Sequence, residues 1–109
     1  MADIFKILQQ AQQVQSKMEQ LQEELGRLTV TGSAGGGMVS VEADGKGNIK
    51  KVKIDPAAVN PADVEMLEDL VVVAITEAQK RAAEKAKDAT QAEMGKLTGG
   101  LNLPFKLPF

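Results

Sequence analysis

Apolar residues at the start of the chain fall on a heptad: Ile4, Ala11, Met18 and Leu25 alternate with Ile7, Val14, Leu21 and Leu28. This spacing predicts an amphipathic helix over residues 3–28 with a coiled-coil-like seam, widened near its start by Phe5 and Leu8. Its other face is rich in glutamine and carries Lys6, Lys17 and Arg27. That face reads either as a solvated surface or as a hydrogen-bonding face for phosphates or a partner. After Leu28 the period shortens to two. Residues 29–31, 38–44 and 49–54 read as short strands, with Val39, Val41 and Ala43 on one face of the second. On the third, Val52 and Ile54 lie opposite Lys51 and Lys53, which predicts a polar outer sheet face with Glu42 in a cross-strand charge pair. Asp44, Gly45, Lys46, Gly47 and Asn48 are hairpin-turn residues.

From residue 60 to residue 94 the pattern is helical again. Asn60 is the expected N-cap, Pro61 the first helical residue, and Asp63 a carboxylate at the positive end of the dipole. In its first half Leu70, Val71, Val72, Val73, Ala74 and Ile75 are apolar on every side. A helix of that kind is buried all round, and a small chain lacks the material to do so alone. Leu67, Leu70, Val71, Val73, Ala74 and Ile75 are therefore expected to dimerise. In the second half Lys80, Arg81, Lys85 and Lys87 stand among alanines, a slender charged arm of high helix propensity.

Two segments invite chemical readings that the neighbouring residues weaken. Gly32 and Gly37 have the spacing of a phosphate-binding loop, but Met38 and Val39 stand where Lys and Ser or Thr are required, and a strand follows in place of a helix. The glycines are expected to form a flexible, bulged connection between strands. Glu65, Glu68 and Asp69 resemble a divalent-metal cluster, yet acidic residues at a helix start are favoured by its dipole, and no second cluster completes a cage.

Composition narrows the function classes. Cys, His, Trp and Tyr are absent from the 109 residues, which removes thiol chemistry, disulfides, imidazole catalysis and the common zinc sites. No cofactor, no small-molecule substrate and no catalysis are expected. No apolar run approaches the roughly 20 residues of a membrane span, so neither export nor membrane insertion is expected. The net charge is -2, from 13 basic and 15 acidic residues, so a nucleic-acid partner has to be met by a local patch. The chain divides into a dimerising domain over residues 1–95 and a tail over residues 96–109 that ends in tandem Leu-Pro-Phe units. Those units cannot continue a helix and suit docking on the body, on a sister subunit or on another protein.

The heptad helix, Val30-Thr31-Gly32 with its glycine-rich turn, Ile54-Asp55-Pro56, the run Met66-Leu67-Glu68-Asp69-Leu70-Val71 and the Leu-Pro-Phe-Lys-Leu-Pro-Phe end follow one another in an order that resembles the YbaB/EbfC family of bacterial nucleoid-associated proteins. The resemblance implies an α+β fold: an α-β-β-β-α subunit with a three-stranded antiparallel sheet and two long helices, paired into a tweezers-like homodimer. It also implies a cytoplasmic, nucleoid-associated protein that binds duplex DNA with little sequence preference and catalyses nothing. Charge assigns the contacts to Lys80, Arg81, Lys85 and Lys87 on the long helix and to Lys6, Lys17 and Arg27 on the first. Glu77, Glu84, Asp88 and Glu93 are interleaved with them, so the arm is no continuous basic stripe. The other function class is a protein-interaction module working through the heptad helix, the dimer cleft or the tail.

Overall fold

The computed structural model describes residues 2–101, and side-chain surroundings for residues 3–96. The elements are α1 (Ala2–Arg27), β1 (Val30–Ala34), β2 (Val39–Ala43), β3 (Ile49–Ile54), a 3-10 turn at Pro56–Ala58 and α2 (Val64–Leu101). The strands form one antiparallel sheet in the order β1-β2-β3, with Gly32 opposite Val41 and Val41 opposite Val52. This is the α-β-β-β-α order expected from the sequence. The Leu-Pro-Phe units, with Leu103, Phe105, Leu107 and Phe109, lie outside the described residues.

Alternation decides which face of the sheet is covered. Val30, Gly32 and Ala34 of β1 and Val39, Val41 and Ala43 of β2 point to one side and are buried there. Across them lies α2, whose Ala74, Ala78 and Ala82 recur every fourth residue on one face and are fully buried. The small side chains let the two backbones meet. A Cβ added to Gly32 would collide with the carbonyl oxygen of Ala74 and the amide nitrogen of Ala78, and would lie 2.9 Å from the Ala78 Cα. β3 projects beyond this cover. Val52 and Ile54, expected on an apolar face, remain 42% and 38% exposed, and Ile49 at the start of the strand is 38% exposed.

Three local expectations are corrected. α2 begins at Val64 and not at Asn60. Asn60 accepts from the amide of Ala62 (3.0 Å) in a tight turn through Pro61, and Asp63 takes the capping role by accepting from the amide of Met66 (3.2 Å). At its other end α2 continues through Gly95 to Leu101, because an interior glycine costs only about 1 kcal/mol relative to alanine and its neighbours favour helix. Gly32 belongs to β1 and not to the connection. The connection itself is a turn in which Gly35, Gly36 and Gly37 have φ of 63°, 66° and 94°, conformations that need glycine.

The β2–β3 turn ties both helices together. Asp44 is buried and accepts from the backbone of Lys46 (2.9 Å) and from the backbone and side chain of Asn48 (3.0 and 3.1 Å). Burial by itself raises the Asp44 carboxyl, but the Asn48 and Lys46 hydrogen bonds and the Lys50 charge outweigh it and hold the group below its ordinary value. The next residue, Gly45, donates its amide to the carbonyl of Leu25 at the end of α1 (2.7 Å), and Gln79 of α2 donates to the carbonyl of Gly47 (3.3 Å). On α1, Leu21 and Leu25 are buried while the outer part of the helix stands away from the body. The radius of gyration is accordingly 20.3 Å, against about 13 Å for a compact domain of this length.

The close approach at Gly32 yields a direct test. Gly32→Ala is expected to lower unfolding stability in urea by at least about 2 kcal/mol, as overpacking against backbone that cannot yield. Gly36→Ala, whose added Cβ meets nothing within 4 Å, carries only the strain of its φ of 66° and is expected to cost about 1 kcal/mol.

Candidate nucleic-acid interface

Helical geometry divides the four candidate basic residues of α2, Lys80, Arg81, Lys85 and Lys87, into two pairs. Lys80 and Lys87 are two turns apart and point away from the sheet, on the side opposite Ala78 and Ala82. Arg81 and Lys85 are one turn apart and flank the exposed edge of β1, beside Thr29 and Thr31. Lys80, Lys85 and Lys87 are exposed and make no ion pair or hydrogen bond with any described residue. Arg81 is committed. Its Nη1 donates to the carbonyl of Thr31 (2.7 Å) and its Nη2 pairs with Glu77 Oε1 (2.7 Å), so the guanidinium braces α2 against the sheet edge.

On α1, Lys6 and Lys17 are three turns apart on one face, and both are exposed. Lys17 borders a groove between the two helices that is also lined by Gln20, Glu24, Glu93 and Lys96. Arg27, at the body end, forms an exposed pair with Glu23 at 3.8 Å, a contact worth little in water. The seven residues therefore line both arms without forming one patch in the subunit.

The structure adds two lysines that the sequence reading treated as half of charge pairs. Glu42 stands opposite Lys51 and Ser40 opposite Lys53 on the uncovered sheet face, but no ion pair forms between Glu42 and Lys51. Full exposure removes the incentive for pairing. Their alternation with Val52 and Ile54 was the signal that they share an open face. Lys50, at the irregularity between Glu42 and Ala43, reaches instead to the Leu28 carbonyl (3.2 Å) and Thr29 Oγ1 (3.4 Å).

Of the residues expected to dimerise, Ala74 is fully buried inside the subunit, and Leu67, Leu70, Val71 and Ile75 are half-buried against its core. Val73 is 53% exposed and its neighbour Val72 is 61% exposed. Among the described residues Glu65, Glu68 and Asp69 do not gather into a group able to hold a metal ion, and no helix is long and apolar enough to cross a membrane.

Two long helices anchored on a small sheet, with unpaired lysines along their exposed lengths, outline a scaffold for contacting an extended polyanion. Comparison of sequences narrows the class: the model of the YbaB/EbfC DNA-binding family matches residues 1–101, and the chain belongs to that family. It is 52% identical over 107 residues to a nucleoid-associated protein of Gemmatimonas aurantiaca, covering 98% of this chain and 99% of that one. A nucleoid-associated protein of Paramagnetospirillum magneticum is 50% identical over 111 residues, covering 100% of both chains. The fold matches the crystal structure of an uncharacterized protein of Helicobacter pylori with a TM-score of 0.70 at 26% identity, over 78% of this chain and 89% of that one.

The brace at Arg81 separates scaffold from surface. Arg81→Ala is expected to destabilise the fold by about 1 kcal/mol in chemical denaturation, through loss of a charged hydrogen bond to backbone. Lys80→Ala and Lys87→Ala are expected to stay within about 0.5 kcal/mol of the parent.

Proposed function

We propose that this chain works as a homodimer that binds duplex DNA through its phosphates, with little sequence preference and without catalysis or cofactor, in the cytoplasm at the nucleoid. The observation that carries the reading is the set of unpaired lysines on the exposed arm of α2, Lys80, Lys85 and Lys87, in a chain of a DNA-binding family. Phosphate contacts position a protein on duplex DNA but hold no sequence information. Without aromatic residues on the folded body apart from Phe5, stacking on unpaired bases has little to work with. Lys6, Lys17 and Arg27 extend the basic surface along the second arm, while Arg81 acts mainly by fixing the angle at which α2 leaves the sheet. The overall negative charge is no obstacle, because at physiological salt charges beyond roughly 8 Å are largely screened and the local lysines dominate.

Dimerisation is supported by the apolar surface that one subunit leaves open. Ile49, Val52 and Ile54 on β3 lie beyond the cover of α2, and Val72 and Val73 face outward from the helix. A second copy is the partner that this excess supports, together with the uncovered parts of Leu67, Leu70, Val71 and Ile75.

Fluorescence anisotropy with a labelled random-sequence duplex is expected to show a log affinity that falls linearly with log salt, and unlabelled duplex of any sequence is expected to compete. Lys80→Glu with Lys87→Glu should lower that slope by about 2 for each arm engaged. Absence of binding at low salt would move the function to protein docking. Val73→Asp, at an exposed position, is expected to shift sedimentation equilibrium from dimer to monomer and to weaken DNA binding with it.

A further inference from the structure

The seam of α1 is covered unevenly. Leu21 and Leu25 are buried and Val14 and Met18 half-buried, whereas Ile4, Phe5, Ile7 and Leu8 are 56%, 71%, 62% and 54% exposed. The stripe that is covered near the body thus continues uncovered along the outer arm. Four large apolar side chains within two turns form a contiguous strip, the kind of surface that marks a docking site.

The course of α2 determines what comes nearest to that strip. Lys17, Gln20, Leu21 and Glu24 of α1 share a groove with Glu93 and Lys96. Nearer the body Leu25 shares a hollow with Ala83 and Ala86, so the two helices run antiparallel and α2 continues from Lys96 to Leu101 in the direction of the α1 N-terminus. The chain then has residues 102–109, in which Pro104 and Pro108 oppose further helix. Extended, this segment reaches about 26 Å, and the stretch of α1 from Lys17 back to Ile4 is about 20 Å long. Leu103, Phe105, Leu107 and Phe109 occur at every second position. With a two-residue repeat they share one side and leave Lys106 on the other.

We propose that residues 102–109 seat on the strip formed by Ile4, Phe5, Ile7 and Leu8 of the same chain, closing the seam of its own arm. The strip lies inside the matched family region and the segment lies beyond it, and the seat does not rest on DNA binding.

Because the chain has no cysteine, paired substitutions report the seat without background. In the full chain, Ile7→Cys with Leu103→Cys in dilute glutathione buffer is expected to form an intrachain disulfide, read as loss of both free thiols at monomer mass. Formation should be at least about tenfold faster than for Gln9→Cys with Leu103→Cys, whose first thiol lies on the other side of α1. Ile7 and Gln9 are both exposed, so neither change threatens the fold. Equal rates for the two pairs, or a disulfide-linked dimer, would overturn the proposal, the latter in favour of a second copy's tail. As a cysteine-free check, removal of residues 102–109 should speed amide exchange in residues 4–14 several-fold and leave β2 unchanged. Unaltered exchange on α1 would also overturn it.

Discussion

The fold depends on one close approach between backbones. At Gly32 the strand has no side chain, and at Ala74 and Ala78 the helix has the smallest that still favours helix. These choices bring α2 down onto β1 and β2 until main-chain atoms meet, excluding water from Val39, Val41 and Ala43 without large aromatic groups. The core is therefore thin, and its stability comes from proximity more than from bulk. The same arrangement explains why β3 is left at the margin: a single helix seated this closely covers two strands and no more.

Much of this was legible in the residue pattern, and the misses have local causes. The heptad of α1, the three strands and the existence of α2 follow from periodicity, which reports which face is buried. The start of α2 does not, because Asn60 and Asp63 are both competent caps and the sequence does not rank them. The structure gives Asn60 to a turn and Asp63 to the helix. The role of Gly32 was hidden for a similar reason. Beside Gly35, Gly36 and Gly37 it reads as part of one flexible loop, and only the position of Ala74 and Ala78, distant in sequence, shows that it serves packing. Among the basic residues, charge identified candidates but could not tell Arg81, held by Thr31 and Glu77, from Lys80 and Lys87, which pair with no described residue.

The division of labour along α2 follows from the same geometry. Its first half is fixed to the sheet by alanines and half-buried aliphatic residues, and its second half carries charge on a stem too slender to build a core. Acidic residues interleaved with the lysines keep the arm close to neutral. The arm therefore presents separate basic side chains and no continuous basic stripe.

The β2–β3 turn has a mechanical consequence. Through Gly45 and Gly47 it holds α1 and α2 at one point, while most of the 26-residue length of α1 stands free of that point. The arm is a lever with its fulcrum at the turn. With about 30 Å of helix beyond the fulcrum, a tilt of ten degrees there carries the tip about 5 Å. That displacement carries the exposed side chains of Ile4, Phe5, Ile7 and Leu8 with it, so the stiffness of the five residues from Asp44 to Asn48 bears on where the tip of α1 stands.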